Sequence, residues 1–127
     1  MNEVKDIVVW HAAVAVAKRD RFGEQSFDER LRLSMSLLRE ETRELLDELA
    51  IILNRPQQQA VDVSPALKEA ADVLFVTLQA LHTLGLGYGQ ISAGVQEVIR
   101  SNYSKLYNGR PTFRDDGKLS KGPGYSE

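Results

Sequence analysis

The 127-residue sequence predicts an all-α fold, a four-helix-type bundle with a polar C-terminal tail. Apolar residues recur at spacings of three, four and seven over long stretches instead of alternating. Helix start and stop signals stand at the ends of those stretches: Ser26 with Glu29, Ser64-Pro65, and Asn54-Arg55-Pro56. From Ala70 to Gln96 the sole Asp, Glu, Lys or Arg is Asp72, and a helix apolar nearly all round is covered by its neighbours.

The first helix spans Val4 to Arg19, with Ile7, Val8, Trp10, Val14 and Ala17 at helical spacing. Val8 to Val16 is apolar on almost every side, which predicts cover on more than one face. Phe22 to Ser26 reads as a loop around Gly23, and Ser26 with Glu29 matches a capping box. The second helix then runs from Phe27 to Leu53, with Leu31, Met35, Leu38, Leu45, Leu49 and Ile52 stepping along one side. It stops before Pro56, because the residue before proline is pushed out of helical geometry.

Residues 55 to 63 form an exposed loop. Ser64 as N-cap and Pro65 at the first helical position start a third helix that runs to about Leu84. The three glycines of Leu84 to Gly89 make a turn, and a fourth helix follows from Gln90 to Tyr107. Beyond Asn108-Gly109 the chain is polar and glycine-rich, with Asp116-Gly117 set for a tight turn between two short extended pieces.

Composition narrows the function classes. Length implies one domain over residues 1–127, with 108–127 as its tail. The 43% hydrophobic and 27% charged content fits a soluble globular chain. A net charge of −2 lacks the basic footprint of a nucleic-acid binder. No cysteine is present, so disulfides and thiolate metal sites are excluded. The N-terminus lacks the basic region of a signal peptide, and the uncharged run from Val73 to Gln96 is too polar and glycine-rich for a membrane span. The expectation is a cytoplasmic protein.

Two acidic pairs suggest chemistry. Glu41 interrupts the apolar stripe of the second helix, between Leu38 and Leu45, and Glu44 follows one turn on. Glu69 and Asp72 form an equivalent i,i+3 pair on the third helix. Asp72 is expected at or near the core, where an uncompensated carboxylate costs several kcal/mol. On antiparallel neighbours the four carboxylates would meet, and would partly protonate unless Mg²⁺ or Mn²⁺ lay between them. All-oxygen ligation suits those hard cations. The ordinary alternative is a charged helix face, with Arg39 and Arg43 pairing Glu40, Glu41 and Glu44.

Glu40-Glu41-x-x-Glu44 followed by Glu69-x-x-Asp72, with residues 45 to 68 between them, resembles the signature of the all-α nucleoside triphosphate pyrophosphohydrolases. These are the MazG-like proteins, dimeric dUTPases and phosphoribosyl-ATP pyrophosphohydrolases. The tail Ser101 to Tyr125 is similar to the C-terminal segment of the MazG-like and phosphoribosyl-ATP groups. The nearest form is the small MazG-like dUTP diphosphatase type of deinococci.

The resemblance implies a helical bundle associated as a dimer or dimer of dimers. It also implies Mg²⁺- or Mn²⁺-dependent cleavage of a nucleoside triphosphate, dUTP first, to monophosphate and pyrophosphate. Glu41, Glu44, Glu69 and Asp72 match metal ligands. Glu40 matches an extra acidic position that binds a further metal or orients the attacking water, and either Glu40 or Glu41 is the base candidate. His11, Asn102, Lys105, Lys118 and Lys121 are the substrate-binding candidates, with Arg100, Arg110 and Arg114 behind the lysines. The tail is expected to close over the site, in its own subunit or a neighbour's.

Other residues read more plainly. Trp10 suits core or dimer interface better than a base-stacking platform. His82 reads as a hydrogen-bonded structural histidine, and Tyr103 and Tyr107 as helix-packing residues. The Asn102-Tyr103-Ser104 glycosylation pattern has no sign of secretion behind it. No phosphate-binding loop of the Gly-Lys-Ser/Thr type is present. The expected partners are a nucleoside triphosphate and further copies of the chain, without nucleic acid or membrane. The rival readings are a phosphoribosyl-ATP pyrophosphohydrolase and a non-catalytic helical oligomerisation or regulatory module.

Overall fold

The computed structural model describes residues 3–107 and 110–120. The fold is all-α, as expected, with four main helices: α1 (Glu3–Phe22), α2 (Phe27–Leu53), α3 (Ser64–Thr83) and α4 (Tyr88–Tyr103). A short antiparallel pair, β1 (Leu106–Tyr107) with β2 (Arg110–Pro111), follows. The described residues up to 88 and those from 89 onward form two compact units. Among the described residues, no single helix is long and apolar enough to cross a membrane.

In the first unit the helix ends follow local chemistry. α1 carries Glu3 and Asp6 in its first turn and Arg19 and Arg21 in its last, charges that complement the helix dipole. The Ser26 side chain accepts the Glu29 backbone N–H at 3.1 Å, capping α2. At the other end the Asn54 side chain donates to the Ala50 carbonyl at 2.8 Å. The start of α3 differs in detail from expectation. Ser64 is already helical and Val63 takes the N-cap position without a side-chain cap bond, while the Ser64 N–H donates at 3.1 Å to the Asp62 carboxylate.

α2 and α3 share the largest interface, and α1 packs on α3. The α2–α3 pair is antiparallel: Ser34, early in α2, meets Thr83 at the end of α3, at 3.2 Å between hydroxyls. The Thr83 hydroxyl donates to the Gln79 carbonyl at 3.1 Å, so Ser34 is the donor between the two. Ser34 is the most buried residue described, at 1% exposure. A side chain this small lets the helices approach closely there.

Cover over the rest of the unit is thinner than the sequence predicts. Val8 and His11 are buried on α1, but Val9, Trp10 and Val16 are exposed, so α1 is covered on one side of this single chain. On α3 only Leu78 is fully buried, and Leu74 is exposed. Met35 and Leu49, two members of the α2 stripe, are also exposed, as are Leu46, Ile51 and Leu53. α3 has α2 and α1 as neighbours within the unit, which leaves part of its circumference open.

The second unit corrects one boundary. The expected helix to Tyr107 ends at Tyr103. The Ser104 hydroxyl donates back to the Ser101 carbonyl at 2.6 Å, closing the helix end, and Leu106 and Tyr107 extend into β1. The Asp116-Gly117 turn forms as expected. Gly117, at φ 84°, bonds back to Arg114, and Phe113 bridges Leu119 across the turn. Asn108, Gly109, the Tyr107 side chain and Lys121 lie outside what the structure describes.

Candidate functional site

The antiparallel register set by Ser34 and Thr83 brings the middle of α2 beside the first half of α3. There Glu41, Glu69 and Asp72 each present a carboxylate oxygen within 4.8 Å of the others. Glu44, one turn after Glu41 on α2, interacts with Glu41 and Glu69. Proton sharing with Glu41 raises the Glu44 pKa above its ordinary value, and the Glu41 charge adds to the rise. Glu40, one residue from Glu41, is exposed, and its charge adds a smaller contribution in the same direction.

Three of the four acids expected together, Glu41, Glu69 and Asp72, converge within 4.8 Å, and Glu44 is not in that close group; the burial expected of Asp72 is not seen. Asp72, expected at the core, keeps 38% of its side chain exposed, whereas Glu69 keeps 15%. The uncharged run reports which residues are apolar, not which side of α3 is covered. Sequence reasoning passed over Lys68. Its ammonium lies 2.9 Å from Asp72 Oδ2 and 3.5 Å from Glu69 Oε1. The Asp72 partner was legible in the i,i+4 spacing, but Lys68 falls just outside the uncharged stretch that drew attention to Asp72.

Two atoms bear on a metal. Glu41 Oε2 and Glu69 Oε2 are buried with no hydrogen-bond partner. A buried polar atom left unpaired costs about 1–3 kcal/mol, more when charged. Two such oxygens in a cluster of three close carboxylates are the donors a hard divalent cation takes. The residues present could hold such an ion by charge and ligand type.

Next to this cluster, α1 supplies His11 and Trp10. His11 is 4% exposed, and its Nε2 donates to the Phe75 carbonyl at 2.8 Å. Trp10, His11 and Phe75 form a ring cluster with centroids 4.9–5.0 Å apart. Burial holds the His11 pKa below its ordinary value, the Phe75 bond opposes that, and His82 lowers it further. Trp10, half exposed, also lines a cleft of about 560 Å³ between α1, the start of α2 and the end of α3. His11, Gln79 and His82 give this cleft hydrogen-bonding groups, and Lys18, Arg19 and Arg30 give it positive charge. His82 has no side-chain hydrogen bond among the described residues, contrary to the structural role expected of it; its ring lines the cleft. The cleft has no linear signature, since its lining comes from three separate segments.

The remaining candidates belong to the second unit. Asn102 accepts a hydrogen bond from the Lys105 ammonium at 2.9 Å and donates to the Val98 carbonyl at 3.0 Å. The Lys118 backbone N–H donates to the Asp116 carboxylate, which also pairs with Arg114 and is held below the usual aspartate range by it. Arg100 pairs with Glu97 on α4. Tyr103 is 69% exposed, so the packing role expected of it is not seen in the single chain.

Comparison with family models finds no match to this sequence. No curated protein is significantly similar to it either. The functional reading rests on the geometry and on the sequence signature.

Proposed function

We propose that this chain is a divalent-metal-dependent nucleoside triphosphate pyrophosphohydrolase, with dUTP as the first substrate to test. The observation that carries the reading is the convergence of Glu41, Glu69 and Asp72 from two antiparallel helices, with two buried oxygens unpartnered. Glu41, Glu44, Glu69 and Asp72 would hold Mg²⁺ or Mn²⁺. When bound, the ion supplies charge neutralisation for the phosphates and acidifies a coordinated water.

The chain's own groups then divide the work. Glu40, exposed beside the cluster, is suited to orient the water that attacks phosphorus and to take its proton, with Glu41 as the alternative base. The cleft beside Trp10, His11, Gln79 and His82 suits a nucleobase, offering aromatic faces together with polar edges. Gln79 follows Asp72 by seven residues, about 10 Å of helix, a span that a nucleotide bridges between phosphate and base. By the resemblance alone, Lys105, Lys118 and Lys121 are the candidates for the anionic leaving group and Asn102 for nucleotide contact; a mobile ammonium suits pyrophosphate.

The exposed apolar faces of α1 and α2 support association of subunits, as a homodimer or homotetramer. A cytoplasmic house-cleaning role accompanies this reading.

The test is pyrophosphate release with Mg²⁺ or Mn²⁺ across dUTP, dCTP, dTTP, the ribonucleotides and phosphoribosyl-ATP. Turnover led by dUTP is expected. Preference for phosphoribosyl-ATP would replace the substrate while keeping the reaction. No release from any of them, in a chain that binds metal, would overturn the enzymatic reading and leave the regulatory module.

A further inference from the structure

Resting on the metal-site reading above, we propose that Lys68 is the counter-cation of the carboxylate cluster in the metal-free chain and that a divalent ion must displace it. Its ammonium contacts Asp72 and Glu69 together, two of the three carboxylates that approach within 4.8 Å. Among the described residues, it is the cation that forms ion pairs with this cluster.

Helix geometry alone does not account for that placement. Residues one apart on a helix do not face each other, and an i,i+4 pair with the cation first is the weaker orientation. Nζ nonetheless reaches within 3.5 Å of Glu69, the residue next to it, as well as Asp72 a turn later. The side chain has swung toward the place where acidic charge is concentrated. It remains 70% exposed on a flexible four-carbon stem, so it can leave toward water at small cost.

Asp72 Oδ2 cannot hold the ammonium at 2.9 Å and also bind a metal without the two cations crowding each other. Metal entry is therefore an exchange in which Lys68 gives up the carboxylates. Because exposed ion pairs are weak, the competition is modest: removing it should tighten metal binding about two- to fivefold.

The experiment is calorimetric titration of MnCl2 into the full chain at fixed pH, comparing wild type with Lys68→Met and Lys68→Arg. Lys68→Met is expected to bind Mn²⁺ about two- to fivefold more tightly, and Lys68→Arg, which keeps the charge, to follow wild type. Equal or weaker binding by Lys68→Met, with wild type binding normally, overturns the exchange and leaves the metal site standing. A wild type that takes up no Mn²⁺ overturns both.

Thermal melts give a second readout. Lys68→Met should melt below wild type in chelator and together with it in saturating Mn²⁺. An equal deficit in both conditions marks an ordinary surface ion pair and overturns the proposal.

Discussion

Glu41→Gln should stabilise the metal-free protein while abolishing its stabilisation by metal. Glu41 has a buried oxygen with no partner and stands within 4.8 Å of Glu69 and Asp72. At that separation, with an effective dielectric of about 20, one pair of like charges repels by about 3.5 kcal/mol. Water at the half-exposed Asp72 and the Lys68 ammonium reduce this, leaving about 1–2 kcal/mol to be relieved by neutralising Glu41. The new amide can also donate to a neighbouring carboxylate. For a chain of this size the gain corresponds to roughly 4–8 °C in melting temperature.

The assay is a thermal melt at pH 7.5 in chelator and in millimolar MnCl2. Wild type should rise with Mn²⁺ and Glu41→Gln should not, although it starts higher. A lower melting temperature for Glu41→Gln in chelator would refute the reasoning, because Glu41 would then be held by favourable interactions and not crowded by like charge.

Other outcomes follow from the same geometry. Glu44 has a raised pKa, so its protonated form is favoured by folding. Its contribution is fully present below the ordinary value of 4.5 and is lost as pH rises through the raised value. In chelator, Glu44→Gln should flatten that decline in melts taken between about pH 4 and pH 7. His11 has the opposite sign. Its pKa is lowered from 6.5, so its contribution is present above 6.5 and is lost as pH falls through the lowered value. Replacing His11 with Gln should remove that acid-side loss in the same melts. Leu78→Ala, at a position 3% exposed, should cost about 2–4 kcal/mol in denaturant unfolding. Ser26→Ala removes the α2 cap and should cost about 1 kcal/mol by the same measurement.

Much of the helical framework was legible because helix ends are local events. Ser26, Asn54 and Pro56 act on their own neighbours, and α2 runs from Phe27 to Leu53 as its signals require. The end of α4 was harder to read: an apolar pattern continues through Leu106 and Tyr107, while the Ser104 side chain stops the helix earlier. The carboxylate cluster was legible for a related reason, since two i,i+3 pairs on antiparallel helices can meet on one side. Burial was not, because it depends on which faces other helices cover. That is why Asp72 lies more open than Glu69.

The Ser34–Thr83 contact gives the α2–α3 pair a fulcrum. Glu41 lies seven residues beyond Ser34, about 10 Å along α2. A tilt of only about 5° around the contact moves Glu41 by nearly 1 Å, given that lever arm. Metal–oxygen distances tolerate about 0.2 Å. Leu33 and Thr83, at the fulcrum, also line the aromatic cleft. The contact that sets the spacing of the carboxylates is therefore built into the wall of that cleft.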